Sequence, residues 1–294
     1  MTATTYSIGG DLTVNRMGFG AMRITGANVS GWPANRDQAL AVVRRAVELG
    51  VNFIDTADQY GPFVSEELIA EALHPYPADV VVATKGGLVR YGSGSAIKRD
   101  GTPQHLHDAL DGSLRRLRRD RIDLYQLHRI DPDVPAEATF SFLRNAQDAG
   151  KVRHLGLSEV TVDEIEQARQ FFTVTTVQNR YSVTERAAEP VLDYCRKHGI
   201  AFIPWYPLGG GDLGYSVTLA RIADRHHVGS RQVALAWLLQ HAENILLIPG
   251  TSDAAHLEQN LAAAEISLTP GDIAELDNLT PNPQQTPASE EGTA

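Results

Sequence analysis

The chain has 294 residues, of which 43% are hydrophobic, and this length can bury one large core. The formal net charge is −10, from 26 Lys and Arg residues against 36 Asp and Glu residues, which excludes a global positive field for nucleic acid or an anionic membrane. Cys195 is the single cysteine, which excludes a disulfide framework and a cysteine-based zinc site. With no secretory leader and no run of about 20 apolar residues, we expect a cytoplasmic protein without a metal site.

The first predicted element is a β-hairpin in the segment TTYSIGGDLTV, residues 4–14. Gly9 and Gly10 stand between its two halves, and paired glycines permit the positive φ angles of a tight hairpin turn. We expect this hairpin to close the bottom of the fold that follows.

Strands and helices alternate from residue 15 to residue 265. Short apolar runs rich in Val, Ile and Leu indicate strands that are covered on both faces. Amphipathic segments such as RDQALAVVRRAVELG lie between them, and their apolar residues three and four apart indicate helices. The predicted strands lie at residues 17–19, 51–55, 80–85, 122–128, 152–158, 173–178, 200–206 and 244–249.

Eight strands that are each followed by a helix are typical of an α/β fold whose parallel sheet closes into a (β/α)8 TIM barrel. A doubly wound open sheet is the competing interpretation. We predict one domain over residues 1–280 that ends in a C-terminal helix. Residues 281–294 are rich in Pro, Gln, Thr and Glu, and we expect a polar, disordered tail there.

The ends of the predicted strands hold the candidate functional residues, because a barrel gathers its site at the C-terminal ends of its strands. Asp55, Lys85 and His128 close three consecutive strands, and Tyr60 follows on the loop after Asp55. Helix capping or surface exposure would explain each one alone, but their joint placement favours a site. Asp58 shares the loop and raises the possibility of a two-carboxylate glycosidase. We expect it to face solvent or to hydrogen-bond within the turn.

These four groups suit the reduction of a carbonyl. A tyrosine with an unperturbed pKa of about 10 is a weak proton donor, and a nearby ammonium lowers that pKa. A carboxylate beside the ammonium keeps it charged, and a histidine can donate a hydrogen bond that orients the carbonyl. Tyr60 would give the proton, and the hydride would come from a cofactor.

The sequence resembles the aldo-keto reductase superfamily, whose motifs run from MGFGAMR to IPGTSDAAHLEQN. The segments FIDTADQYG, VVATKGG and DLYQLHRID match the family's catalytic tetrad at Asp55, Tyr60, Lys85 and His128. The resemblance implies an oxidoreductase that reduces aldehydes or ketones. It also implies a nicotinamide dinucleotide, usually NADPH, bound across the mouth of the barrel.

The resemblance further implies a set of cofactor contacts. Trp205 matches an aromatic residue that stacks on the nicotinamide, and YPLGGG matches the loop that approaches the pyrophosphate. Glu159 stands where the family has Asn beside the carboxamide. The implied contacts are Met22, Ser158, Gln178, Trp205, Tyr206, Pro207, Leu208, Gly210, Gly250, Thr251, Ser252, His256, Gln259 and Asn260.

The segment that would contact the adenosine phosphate departs from the family pattern. A Lys and an Arg often clamp the 2′-phosphate of NADPH there, and this chain has Gly250 and His256 instead. Thr251 and Ser252 can still donate hydrogen bonds, and the start of the following helix offers backbone amides. We predict NADPH as the preferred cofactor and NADH as the weaker one.

The loops at the barrel mouth suggest the substrate. Trp32 and Phe63 predict a flat or aromatic small-molecule carbonyl compound. The segment GLSEVTVDEI also resembles the branch of the family with bacterial pyridoxal reductases, so pyridoxal is a candidate. Two alternatives remain: a cofactor-binding regulatory subunit of the same fold, and a barrel glycoside hydrolase, which would leave Lys85 and Tyr60 unexplained. Protein partners are not predicted.

Overall fold

The computed structural model describes residues 4–90, 97–209 and 216–279. The strands of its main sheet are Phe19–Gly20 (β3), Phe53–Asp55 (β4), Val81–Gly86 (β5), Ile122–Leu127 (β8), Val152–Ser158 (β9), Val174–Gln178 (β10) and Ala201–Phe202 (β11). Their order is β11-β10-β9-β8-β5-β4-β3, and every neighbouring pair is parallel. Each of these strands lies inside a segment that the sequence predicted, except that β3 and β5 extend one residue further.

Residues 244–249 close the sheet into a barrel. The backbone N–H of Leu246 donates to the carbonyl of Phe202 at 2.9 Å, and the N–H of Gly18 donates to the carbonyl of Leu247 at 2.8 Å. The segment therefore joins β11 to the start of β3, although it does so through isolated bridges and not a regular strand. The predicted (β/α)8 barrel is confirmed, and the open-sheet alternative is wrong.

The helices surround the sheet, and most begin with a side-chain cap of the kind that satisfies free backbone N–H groups. The apolar core lies between these helices and the outer face of the strands. No helix in the described segments is long and apolar enough to cross a membrane. The helices described are Arg36–Glu48 (α1), Val64–Leu73 (α2), Pro103–Leu117 (α3), Ala136–Asp148 (α4), Val162–Ala168 (α5), Glu189–Lys197 (α6), Val217–His226 (α7), Ser230–His241 (α8), Ala254–Ala262 (α9) and Pro270–Asp277 (α10).

The predicted N-terminal hairpin is present as Thr5–Ile8 (β1) and Leu12–Asn15 (β2). Gly9 and Gly10 have φ angles of 61° and 84°, which match a turn that needs two positive φ values. Ile8, Leu12 and Val14 are buried against the inward-facing residues of the barrel strands, among them Phe53 and Val81. The hairpin thus plugs the end where the strands begin and leaves the opposite end open. The predicted C-terminal helix is α10, and the predicted tail lies outside the described residues.

Candidate active site

The four predicted catalytic residues meet at the open end of the barrel. Asp55 ends β4, Lys85 lies at the end of β5, and His128 directly follows β8. The Lys85 Nζ donates to Asp55 Oδ2 at 2.5 Å and lies 5.3 Å from the centroid of the Tyr60 ring. The rings of Tyr60 and His128 stand edge to face, with centroids 6.1 Å apart.

The ion pair between Lys85 and Asp55 is fully enclosed, with side-chain exposures of 0% and 2%. Burial alone lowers the pKa of Lys85, but the charge of Asp55 and its hydrogen bond to the ammonium oppose this and leave the pKa above its usual value. The lysine therefore stays an ammonium in a dry site. A second hydrogen bond, to the carbonyl of Thr56 at 2.9 Å, fixes its direction.

Tyr60 and His128 are both held in their neutral forms. Burial raises the pKa of Tyr60 above its usual value, and the Lys85 ammonium lowers it, as expected, but by less than burial raises it. Burial, then the charges of Lys85 and Arg129, hold the pKa of His128 well below its usual value. At neutral pH the phenol therefore keeps the proton it would donate, and the imidazole can donate a hydrogen bond without being an acid.

A network that the sequence analysis missed supports Asp55 from two other strands. Gln178 Nε2 and Gln126 Nε2 donate to Asp55 Oδ1 at 3.0 and 3.2 Å, and Thr176 Oγ1 donates in turn to Gln126 Oε1. Gln126 lies two residues before His128 on β8, so both side chains point to the same face of the strand. Side chains on one face of a strand recur every second residue, and this alternation is the sequence signal that could have identified Gln126.

Asp58 is not in solvent, which corrects one of the two predicted alternatives, whereas a hydrogen bond from the backbone of the adjacent Gln59 agrees with the other, bonding within the turn. Its side chain is buried, at 3% exposure, because the loop after β4 folds inward through a hydrogen bond from the Asp58 N–H to the carbonyl of Lys85. Its Oδ1 has no partner within the described residues. Burial, then the nearby Glu66, raises the pKa of Asp58 well above its usual value. The carboxyl therefore resists ionisation.

The open end of the barrel holds a cavity of about 770 Å³. Asp55 is the one carboxylate among the described residues that line it, so this site lacks the acid pair a glycosidase needs. A hairpin that the sequence did not predict, Leu88–Arg90 (β6) with Ile97–Arg99 (β7), contributes Leu88, Ile97 and Arg99 to the wall. Predicted residues on the wall are Met22, Asp55, Tyr60, His128, Ser158, Gln178, Trp205, Tyr206, Pro207, Leu208 and Gly250.

Trp205 is held in place at the edge of this cavity. Its Nε1 donates to Glu159 Oε1 at 2.5 Å, and the guanidinium carbons of Arg180 and Arg129 lie 5.7 and 5.9 Å from its ring. Glu159 has a φ of 56°, a left-handed backbone conformation that Asn adopts more readily than Glu. In this chain the carboxylate at 159 serves the indole.

A second cavity of about 370 Å³ adjoins the first, and both are lined by Leu208, Arg231 and Gly250. Together they form a trough that leads from the catalytic groups to an outer pocket between α8 and α9. Four of the residues proposed to contact the cofactor line the outer pocket: Thr251, His256, Gln259 and Asn260. Ser252 does not, and its carbonyl instead accepts a hydrogen bond from Gln38. Gly210 lies outside the described residues.

The two predicted substrate contacts do not line either cavity. Trp32 and Phe63 are each 46% exposed. Their rings face arginine side chains, with Arg36 4.4 Å from the Trp32 centroid and Arg116 4.2 Å from that of Phe63. These cation–π contacts keep both aromatics on the outer surface, so the structure does not bring them to the predicted substrate wall. In the described parts of the chain, no group of three His, Cys, Asp or Glu residues could hold a metal ion.

The sequence matches the Aldo/keto reductase family over residues 16–281. It is 48% identical over 272 residues to an uncharacterized oxidoreductase of Schizosaccharomyces pombe, covering 91% of this chain and 87% of that one. It is 40% identical over 286 residues to the pyridoxine 4-dehydrogenase of Escherichia coli, covering 95% of this chain and 99% of that one.

Solved structures agree with these relatives. The glycerol dehydrogenase of Gluconobacter oxydans superposes with a TM-score of 0.87 at 25% identity, covering 95% of both chains. The aldo/keto reductase of Klebsiella pneumoniae in complex with NADP and acetate superposes with a TM-score of 0.80 at 26% identity, covering 96% of this chain and 97% of that one. The chain belongs to the aldo/keto reductase family and is an oxidoreductase of that type.

Proposed function

We propose that the protein reduces aldehyde or ketone carbonyls to alcohols with NADPH, and that Tyr60 donates the proton. The observation that carries this proposal is the meeting of a protonated phenol, a buried ammonium and a neutral imidazole at the inner end of a long trough. Hydrolysis of a glycosidic bond needs none of these three groups, whereas the reduction of a carbonyl uses all of them.

The trough fits an extended dinucleotide better than a compact ligand, because its two cavities meet only at Leu208, Arg231 and Gly250. The flat face of Trp205, with Ser158 and Gln178, would hold the nicotinamide, which supplies a hydride when bound. Further along, Met22 and the segment 206–208, with Gly210 beyond it, would lie along the pyrophosphate. Gly250 and the residues of the outer pocket, with Ser252 beside them, would receive the adenosine end.

Each residue of the tetrad then has one task. Tyr60 gives its proton to the oxygen of the carbonyl as the hydride reaches the carbon. The Lys85 ammonium stabilises the phenolate that is left behind, and Asp55 keeps that ammonium charged and in place. The neutral His128 donates a hydrogen bond that orients the same oxygen. Arg129, which lies near Tyr60 and His128, adds positive charge on the side where negative charge develops.

Aromatic aldehydes and pyridoxal are the proposed substrates. Leu88 and Ile97 give the cavity an apolar side opposite the Trp205 segment, since their hairpin follows the third barrel strand and Trp205 follows the seventh. The relative from Escherichia coli is named for the 4-position of a pyridine ring compound, which supports testing pyridoxal. The cytoplasm stays the predicted compartment, and one domain over residues 1–280 stays the predicted organisation.

The test is a carbonyl panel with purified protein and both cofactors, followed by the loss of reduced-cofactor absorbance. We expect 4-nitrobenzaldehyde and pyridoxal to be reduced, with a higher kcat/KM for NADPH than for NADH. Cofactor binding without turnover of any carbonyl would instead support a regulatory subunit, and no cofactor binding would refute the proposal. If aromatic aldehydes were reduced and pyridoxal were not, pyridoxal alone would be rejected as a substrate. An equal kcat/KM with NADH would contradict the proposed preference for NADPH.

A further inference from the structure

The outer pocket has neither the lysine nor the arginine that would bind the 2′-phosphate, because Gly250 and His256 occupy those positions. The structure explains why position 250 is not a lysine. A Cβ atom added to Gly250 would lie 2.8 Å from the carbonyl oxygen of Gly20, which is backbone at the end of β3. Real Cβ contacts are longer than this, so a lysine at position 250 would force the first and last barrel strands apart. The charge must come from elsewhere in the chain.

Arg231 stands where that charge is missing. It is the second residue of α8, its side chain is exposed, and it lines both cavities at the place where they join. On the preceding helix, Arg221 and Arg225 both pair with Glu275. Arg231 has no ion pair or hydrogen bond to any residue within the segments 4–90, 97–209 and 216–279. Its guanidinium is therefore available to a ligand in the trough.

The position of Arg231 favours the adenosine end of the cofactor. It projects from one wall of the outer pocket, with Ser230 and Gln232, while His256 and Gln259 of α9 form the facing wall. The loop residues Tyr206 and Pro207 line the inner cavity and not the outer one. A phosphate on the adenosine ribose would lie between the two helices, whereas the pyrophosphate would lie nearer the loop.

We propose that Arg231 pairs with the 2′-phosphate and is the residue that makes this chain select NADPH over NADH. The inference rests on the proposed function, since it assigns one contact within the proposed cofactor site. A guanidinium forms two parallel hydrogen bonds with a phosphate, and such charge-assisted pairs are the strong ones. One arginine can thereby replace a lysine that the backbone at Gly250 excludes.

The experiment compares two fragments that differ by the phosphate in question. Adenosine 2′,5′-bisphosphate and adenosine 5′-monophosphate are titrated calorimetrically into the wild type, Arg231→Ala and Arg231→Lys. We expect Arg231→Ala to bind the bisphosphate about 10-fold more weakly or worse, the scale of one lost charge-assisted hydrogen-bonding pair, and the monophosphate within about twofold of wild type. Arg231→Lys should recover part of the loss because it keeps the charge.

Arg144→Ala is the matched control, because it removes an exposed arginine of α4 that pairs with Asp148 and lines neither cavity. Equal losses for both fragments in Arg231→Ala would mean that the residue grips a phosphate common to both cofactors, and would overturn the assignment, as would no loss at all. If the wild type reduces carbonyls with NADPH in either case, the proposed function stands and only this inference fails. A wild type that binds neither fragment nor NADPH would refute both.

Discussion

The two ends of the trough are built in opposite ways. At the inner end Asp55 and Lys85 are buried, and three donors converge on one carboxylate. At the outer end Arg231, His256 and Gln259 are exposed, and Arg231 has no partner within the described residues. A change at the inner end leaves a buried charge or donor unpaired, while a change at the outer end leaves a group in water.

This difference separates the chemistry from the choice of cofactor. Buried unpaired groups are costly, so removing one partner of the inner network at a time should be strongly unfavourable. The exposed residues of α8 and α9 can be replaced one at a time. An arginine on α8 can therefore take over the role of a lysine at position 250. Mutations at the inner end should therefore have large effects, and those further out should have smaller ones.

The largest effect is expected for Tyr60→Phe, which removes the proposed proton donor and leaves the ring. We expect kcat to fall by about 10² or more, the usual scale for a positioned acid, while the dissociation constant for NADPH stays near that of wild type. Steady-state reduction of 4-nitrobenzaldehyde and titration with NADPH measure the two quantities. Tyr194→Phe removes a hydroxyl from α6, outside both cavities, and should be unchanged. Wild-type turnover in Tyr60→Phe would remove this residue from the mechanism.

Asp55→Asn should weaken both the reaction and the fold. The Lys85 ammonium would lose its buried counter-charge, so we expect kcat to fall by about 10-fold or more and the free energy of unfolding to fall by about 3 kcal/mol. Urea denaturation and steady-state kinetics measure these changes. Asp11→Asn is the control, because Asp11 pairs with Arg153 in an exposed ion pair whose loss should barely alter stability. Unchanged stability in Asp55→Asn would mean that the ion pair does not hold the lysine.

Glu159→Ala tests the boundary between the two regions, because Glu159 is exposed but holds the ring of Trp205. We expect the loss of this hydrogen bond to weaken cofactor binding by about 2–10-fold, with little change in kcat. Glu159→Gln keeps an oxygen acceptor for the indole and should stay within about twofold of wild type. Quenching of tryptophan fluorescence on titration with NADPH reports both. If Glu159→Gln weakened cofactor binding as much as Glu159→Ala, the charge of Glu159 would matter more than the position of the Trp205 ring.

The sequence predicted the barrel and the meeting of the four inner residues, because strand ends follow from apolar runs and a barrel brings strand ends together. It did not predict Gln126, whose role depends on which residue faces it across the barrel interior. Arg231 was missed because it lies on a helix and not at a strand end, although that helix borders the trough. Trp32 and Phe63 were assigned to the substrate because a loop sequence does not reveal which arginine a ring will meet.

Asp58 also shows what the sequence could not predict. The loop after β4 is polar enough for a surface turn, yet the Asp58 carboxyl is buried. In the folded protein the pKa of Asp58 is raised above the value of about 3.9 expected in the unfolded chain. Its contribution to stability is therefore complete below about pH 4 and is lost as the pH rises through the raised pKa.

Asp58→Asn should accordingly be the mildest change for catalysis and the most dependent on pH for stability. We expect kcat within about twofold of wild type, because Asp58 does not line the trough. The free energy of unfolding of the variant should rise relative to wild type as the pH increases from about 4, because asparagine has no proton to lose. Urea denaturation at a series of pH values measures the difference. Asp11→Asn is the control and should show no such rise above about pH 4, because Arg153 and His154 lower the pKa of Asp11 and any pH-dependent difference falls below that value. A difference between Asp58→Asn and wild type that stays constant with pH would mean that Asp58 ionises normally, and that its burial is offset by a partner such as Arg116.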